Sequence, residues 1–164
     1  MKPTAFLLLA LAAASACASA STTDVLQNEN GNAMNNCRGA LPVHEASLRS
    51  RPLALVNESG VPAYVNCAFR APTNSAGQEA FGAVLHNYGD AAVSVNCVGV
   101  IGVDDGQATY IARTVSIGSG QRKLLKFDYV TDNEGKRFQT NTGLQCLLPA
   151  NVGINETPQT FRQK

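Results

Sequence analysis

The chain has no tryptophan, and only four tyrosines and six phenylalanines in 164 residues. Without a run of aromatics it lacks the stacking platforms on which single-stranded nucleic acid is held. The missing tryptophan also weakens the expectation of sugar recognition by stacking, although four tyrosines remain available. Net charge is missing as well. With Lys2 set aside, twelve basic residues balance twelve acidic ones, so no field draws the chain to nucleic acid or to an anionic bilayer. Beyond the first twenty residues there is no apolar run long enough to cross a membrane as a helix. Close cysteine pairs are absent too. The nearest spacing among Cys37, Cys67, Cys97 and Cys146 is thirty residues, which excludes the Cys-x-x-Cys pattern of a zinc site.

The N-terminal segment carries Lys2, an apolar core from Ala5 to Ala14 with four leucines, and Ala18-Ser19-Ala20. A charged start, a short apolar centre and an Ala-x-Ala exit make a secretory signal peptide over 1–20, cut between Ala20 and Ser21. Cys17 offers a second reading as a lipidated cysteine. Ala14 stands where a lipoprotein signal usually has Leu, so this match is the poorer one. Export to the periplasm or the medium is therefore expected.

Four cysteines in an exported chain predict two disulfides. Three connectivities are open, and the favoured one is Cys37–Cys67 with Cys97–Cys146, each bridge tying a peripheral segment to one copy of a repeated pattern. In that pattern Leu55-Val56-Asn57 leads through turn formers to Val65-Asn66-Cys67. Leu85-His86-Asn87 leads in the same way to Val95-Asn96-Cys97. It reads as a hairpin written twice.

Alternation of apolar and polar residues predicts strands. Ala63, Val65, Cys67 and Phe69 share one face, as do Val93, Val95 and Cys97, and Leu144, Cys146 and Leu148. Further strands are expected over 80–87, 108–117 and 123–130, separated by turns at Asp104-Asp105-Gly106, Gly118-Ser119-Gly120 and Asp132-Asn133-Glu134-Gly135. No helical period is sustained outside the signal. The prediction is an all-β protein, an antiparallel sandwich of immunoglobulin-like or jelly-roll-like type with two disulfides over 37–164. Residues 21–36, rich in Asn, Thr and Gln, are expected to be a flexible lead-in.

Candidate chemistry is sparse. His44 and His86 stand apart from any carboxylate cluster, so no metal site is assigned. Gly118-Ser119-Gly120 lacks the spacing of a nucleophile elbow. The acidic turns lack the alternation of a calcium loop. Glu79, Asp90 and Asp128 are available for paired-carboxylate hydrolysis, though nothing in the sequence brings two of them together. Asn57-Glu58-Ser59 and Asn155-Glu156-Thr157 match the glycosylation triplet. No catalytic, cofactor or metal residue is assigned.

Val65-Asn66-Cys67, the segment Asn87 to Cys97, and Cys146-Leu147-Leu148-Pro149 resemble small exported β-sandwich proteins of Gram-negative bacteria that carry two widely spaced cysteine pairs. The resemblance implies fold and location only. A pilin is disfavoured, because 21–36 has no alternating apolar donor strand and the C-terminus lacks the aromatic penultimate residue typical of pilins. The expected function is a non-enzymatic module that binds a protein or envelope ligand through loops or a sheet edge. The alternatives are an inhibitor of a secreted hydrolase and a hydrolase whose carboxylates meet only in the fold. Oligomeric state is left open.

Overall fold

Eleven strands are divided between two layers along the described part of the chain, successive strands changing layer except at the β3–β4 and β7–β8 hairpins. The computed structural model describes residues 24–102, 108–138 and 141–164. The signal segment 1–20, Cys17, the Ala20–Ser21 junction and the Asp104-Asp105-Gly106 turn lie outside them. In chain order the elements are β1 (Val25–Asn32), α1 (Ala33–Asn36), β2 (Cys37–Gly39), α2 (Pro42–Glu45), β3 (Leu48–Arg51), β4 (Ala54–Asn57), β5 (Ala63–Arg70), β6 (Ser75–Asn87), β7 (Val93–Ile101), β8 (Thr109–Ile117), β9 (Arg122–Asp128), α3 (Tyr129–Asp132), β10 (Asn141–Leu148) and β11 (Val152–Gln163).

One sheet runs β3-β4-β11-β6-β9, with β1 also paired to β11; the other runs β2-β5-β10-β7-β8. Every pairing is antiparallel. This is the expected β-sandwich with two disulfides. The strict alternation of β5, buried at every second residue, shows why: one face of each sheet must leave water, and period-two patterning supplies it. The core joins Phe69, Phe81, Phe127 and Phe138 to Leu85, Val95, Ile117, Leu144 and Ile154. Phe81 stacks on Phe127 at 5.1 Å between centroids and meets Phe138 edge-on at 5.3 Å.

The repeated pattern is not a hairpin. Its flanking strands, β4 and β5 in the first copy and β6 and β7 in the second, lie in opposite sheets and do not pair with each other. Each five-residue connection is long enough to cross the roughly 10 Å between layers, whereas tight hairpins favour two-residue turns. Each is therefore an arch. The β8–β9 and β10–β11 connections are arches too, and all four stand at the same end of the sandwich in the order β4/β5, β10/β11, β6/β7, β8/β9. Ile154 of β11 pairs with Leu55 on one side and Leu85 on the other, so the two copies flank a shared arch.

Asn57 and Asn87, both fully buried, hold these arches in the same way. Asn57 Oδ1 accepts from the Ser59 amide, and its Nδ2 donates to the carbonyls of Val61 at 2.8 Å and Leu148 at 2.9 Å. Asn87 Oδ1 accepts from the Gly89 amide, and its Nδ2 donates to Ala91 at 2.7 Å and Ile117 at 3.2 Å. In both, one amide closes its own arch and grips the next.

The favoured disulfides form, Cys37–Cys67 and Cys97–Cys146. Both link directly opposed residues of neighbouring strands inside the five-stranded sheet. Cys37 lies on the edge strand β2, as expected of a peripheral segment, while Cys146 sits on the central strand β10.

One further expectation is corrected, and one long strand enters that the sequence analysis did not name. Within the lead-in, Val25–Asn32 forms β1, paired residue by residue with β11, and α1 follows, capped by Asn32 Oδ1 on the Met34 amide. Side-chain bonds along that ladder, such as Asn30 to Glu156 at 2.7 Å and Thr160 to Asn28 at 3.0 Å, hold a polar segment that has no apolar period of its own. β11 is the second addition. Its inward residues Thr157 and Gln159 face a polar part of the interior, where Gln78 Nε2 donates to Gln159 Oε1 at 2.6 Å and Thr142 donates to Gln78 Oε1 at 2.9 Å.

Candidate functional site

The outward face of the five-stranded sheet is made of the polar half of each alternation. Register places Arg38, Asn66, Gln145, Val98 and Ala112 in one row across the strands. Ala68, Gly143, Val100 and Tyr110 form the next row on one side, and Tyr64, Leu147, Asn96 and Thr114 the row on the other. Gly143 leaves a dip between taller neighbours. Around it an open depression of about 560 Å³ is lined by Asn66, Val98, Val100, Tyr110, Gly143 and Gln145. A second depression, of about 300 Å³, is lined by Leu41, His44 and Tyr64 and shares Asn66 and Gln145 with the first. The two depressions adjoin at the Asn66–Gln145 pair and are taken together as a groove over β5, β10, β7 and β8.

The groove floor is preorganised. Gln145 Nε2 donates to Asn66 Oδ1 at 2.8 Å within it, and on the neighbouring outward row, outside the lining, Thr114 Oγ1 donates to Asn96 Oδ1 at 2.7 Å. Each pairing fixes two side chains and leaves Gln145 Oε1 as an acceptor and the Asn66 and Asn96 amides as donors, unpartnered among the described residues. Tyr64 is 42% exposed and Tyr110 70% exposed, so an aromatic ring stands at each end. His44 packs on Tyr64 at 5.4 Å between ring centroids. Among the described residues no carboxylate lines either depression.

The other candidates from the sequence are dispersed. Glu79 is held by Arg162 at 2.7 Å and Arg137 at 3.3 Å. Asp128 bonds Lys126 at 2.8 Å and caps α3 by accepting from the Val130 amide. The Lys126 bond holds its carboxyl below the ordinary range, opposite to the raised value a general acid needs. Asp90 sits on the β6/β7 arch. His86 faces outward from the six-stranded sheet under Tyr88, at 3.8 Å between centroids. Burial, and then the charge of Arg122, hold its imidazole below 6.5. Among the described residues no three His, Cys, Asp or Glu side chains converge as a metal site would require.

Both glycosylation triplets are occupied by structure. Asn57 is buried in its arch, and Asn155 is 6% exposed with Oδ1 accepting from the Tyr88 hydroxyl at 3.3 Å. The groove lies on a sheet face, not on the loops or sheet edge where the sequence places binding. The outward set Tyr64, Asn66, Asn96 and Gln145 was legible as a polar face, but its assembly depends on β10 lying between β5 and β7.

No protein-family model and no curated protein matches the sequence. Among solved structures, the xylan-binding module CBM15 superposes at a TM-score of 0.45 and 12% identity over 87% of this chain and 99% of that one. A CBM4 structure superposes at 0.36 and 12% identity, covering 82% of this chain and 81% of that one. A GH26-CBM35 β-(1,4)-mannanase of Podospora anserina gives 0.39 and 8% identity over 82% of this chain; the chain spans only 27% of that enzyme's length. Likenesses this distant bear on no residue of the groove.

Proposed function

We propose that the chain is an exported, non-catalytic binding module that holds an elongated ligand on the outward face of its five-stranded sheet. The observation that carries the reading is the groove itself. It has fixed amide donors and acceptors, a tyrosine toward each end and, among the described residues, no carboxylate or nucleophile beside its one imidazole. Such a surface can orient a ligand but offers no acid–base pair to cleave it. The signal-like N-terminus and the paired cysteines support export, since disulfides persist in oxidising compartments.

The purified protein should sediment with insoluble envelope or secreted material and release no soluble fragments from it. A Cβ at Gly143 would meet nothing closer than 3.8 Å, so Gly143→Phe fills the groove without disturbing the strand. Retention equal in this variant, or the appearance of hydrolysis products, overturns the proposal.

The inhibitor reading keeps one supporting observation: Asn57 pins the tip Glu58–Pro62, where Val61 is 60% exposed. Assays against lysozymes and proteases decide it, and no inhibition by the wild-type protein removes it.

A further inference from the structure

We infer that the ligand of the groove is a neutral polysaccharide strand, an assignment that rests on the sheet face being the binding surface. Three features of the groove select it over other polymers. Charge comes first. Along the outward rows of the described strands the charged side chains are Arg38 and Arg70, both on the β2–β5 side, with none on β10, β7 or β8. A polyanion or polycation crossing the whole groove would lose hydration without a matching countercharge.

Hydrogen bonding comes second. The locked Asn66–Gln145 pair presents one donor and one acceptor side by side, and neighbouring hydroxyls of a sugar ring can satisfy both. A peptide laid on this face would be served badly. The sheet's own backbone groups are spent within the ladders β5-β10-β7-β8, so the peptide's amides and carbonyls would lack a ladder to join.

The third feature is shape. Tyr64 and Tyr110 lie three strands and four residues apart in register, about 20 Å on the diagonal at ordinary sheet spacings. That span exceeds a single sugar and suits a chain whose apolar ring faces rest on the tyrosines and on Val98 and Val100.

The test uses the full exported protein, with affinity electrophoresis through gels containing soluble xylan, mannan, galactan, mixed-linkage glucan or polygalacturonate. At least one neutral polymer should retard it. Gly143→Phe and Tyr110→Ala should each weaken retardation at least tenfold while leaving the thermal transition in place. Leu124→Ala, on the other sheet, should not change it. Envelope material is then treated separately with periodate, which destroys vicinal diols, and with protease. Sedimentation lost to periodate and kept after protease supports the inference. Sedimentation lost to protease and kept after periodate overturns it while leaving a binding module in place. Preference for polygalacturonate overturns the neutral assignment alone, and no binding in any arm overturns both the ligand and the module.

Discussion

Asn57 and Asn87 show how much one buried amide can carry. Each satisfies its own oxygen and nitrogen entirely within the arches, so truncation strands several buried partners at once. Asn57→Ala and Asn87→Ala should each cost about 2–4 kcal/mol, since a buried polar group left unpaired costs roughly 1–3 kcal/mol, and urea unfolding measures it. Asn87→Asp should be no milder, because it turns an acceptor toward the carbonyls of Ala91 and Ile117. His86 makes a pH prediction. Its folded value lies below 6.5, so the unfolded chain takes a proton first as pH drops. Its contribution is complete above pH 6.5 and is lost as pH falls through the depressed value. Asp128, held below 3.8 by Lys126, contributes above its unfolded value and loses that contribution only in stronger acid. Urea midpoints from pH 8 to 5 should therefore fall in the wild type and fall less in His86→Gln. The matched asparagines were visible in the sequence, but as turn caps; that their Nδ2 atoms reach the next arch depends on strand order, which no local pattern encodes.

Among the elements, the edge strands differ in how they are guarded. β9 carries Arg122, Lys123, Lys126 and Asp128, β3 carries Arg49 and Arg51, and β2 is only three residues long. β8 is nine residues long with a single charge, Arg113, which points inward, pairs with Asp132 and lies 4.9 Å from the Phe127 ring. An inward charge on an edge strand is a known defence against strand addition. Arg113→Val should convert the protein to dimers or larger species by size-exclusion chromatography with little loss of strand content; a monomer at high concentration would refute this. β5, β7 and β10 were legible because each buries every second residue against apolar partners. β11 was hidden because half of its inward positions are Thr and Gln and it contains Pro158. The ladder to β6 lapses at Thr157 and Pro158, which is where a residue without an amide hydrogen can be tolerated.

For the whole molecule, the placement of the disulfides matters more than their number. Both lie within one sheet, so the two layers are joined by the apolar core and the arches. In the loop-entropy view, closing loops of 30 and 49 residues is worth about 4 kcal/mol each as an upper estimate. Cys37→Ala with Cys67→Ala, and Cys97→Ala with Cys146→Ala, should therefore each shift the denaturation midpoint by comparable amounts. The Cys97 pair should also weaken ligand retention more, because both of its strands, β7 and β10, carry groove residues, whereas the other bridge ties the groove strand β5 to the edge strand β2. The sandwich and its bridges could be read from alternation and cysteine spacing. The groove could not, because its parts come from four strands far apart in the chain.

The β1–β11 pair sets how the molecule meets a mechanical load. Val25 lies opposite Gln163, and the register continues to Asn32 opposite Glu156, all of it outside the disulfide-closed loops. Force applied between residues 24 and 164 would open this ladder like a zip, one pair at a time, and would not shear all eight pairs together. The strands that build the groove, held beyond the first bridge at Cys37, would feel tension only after the zip had run its length.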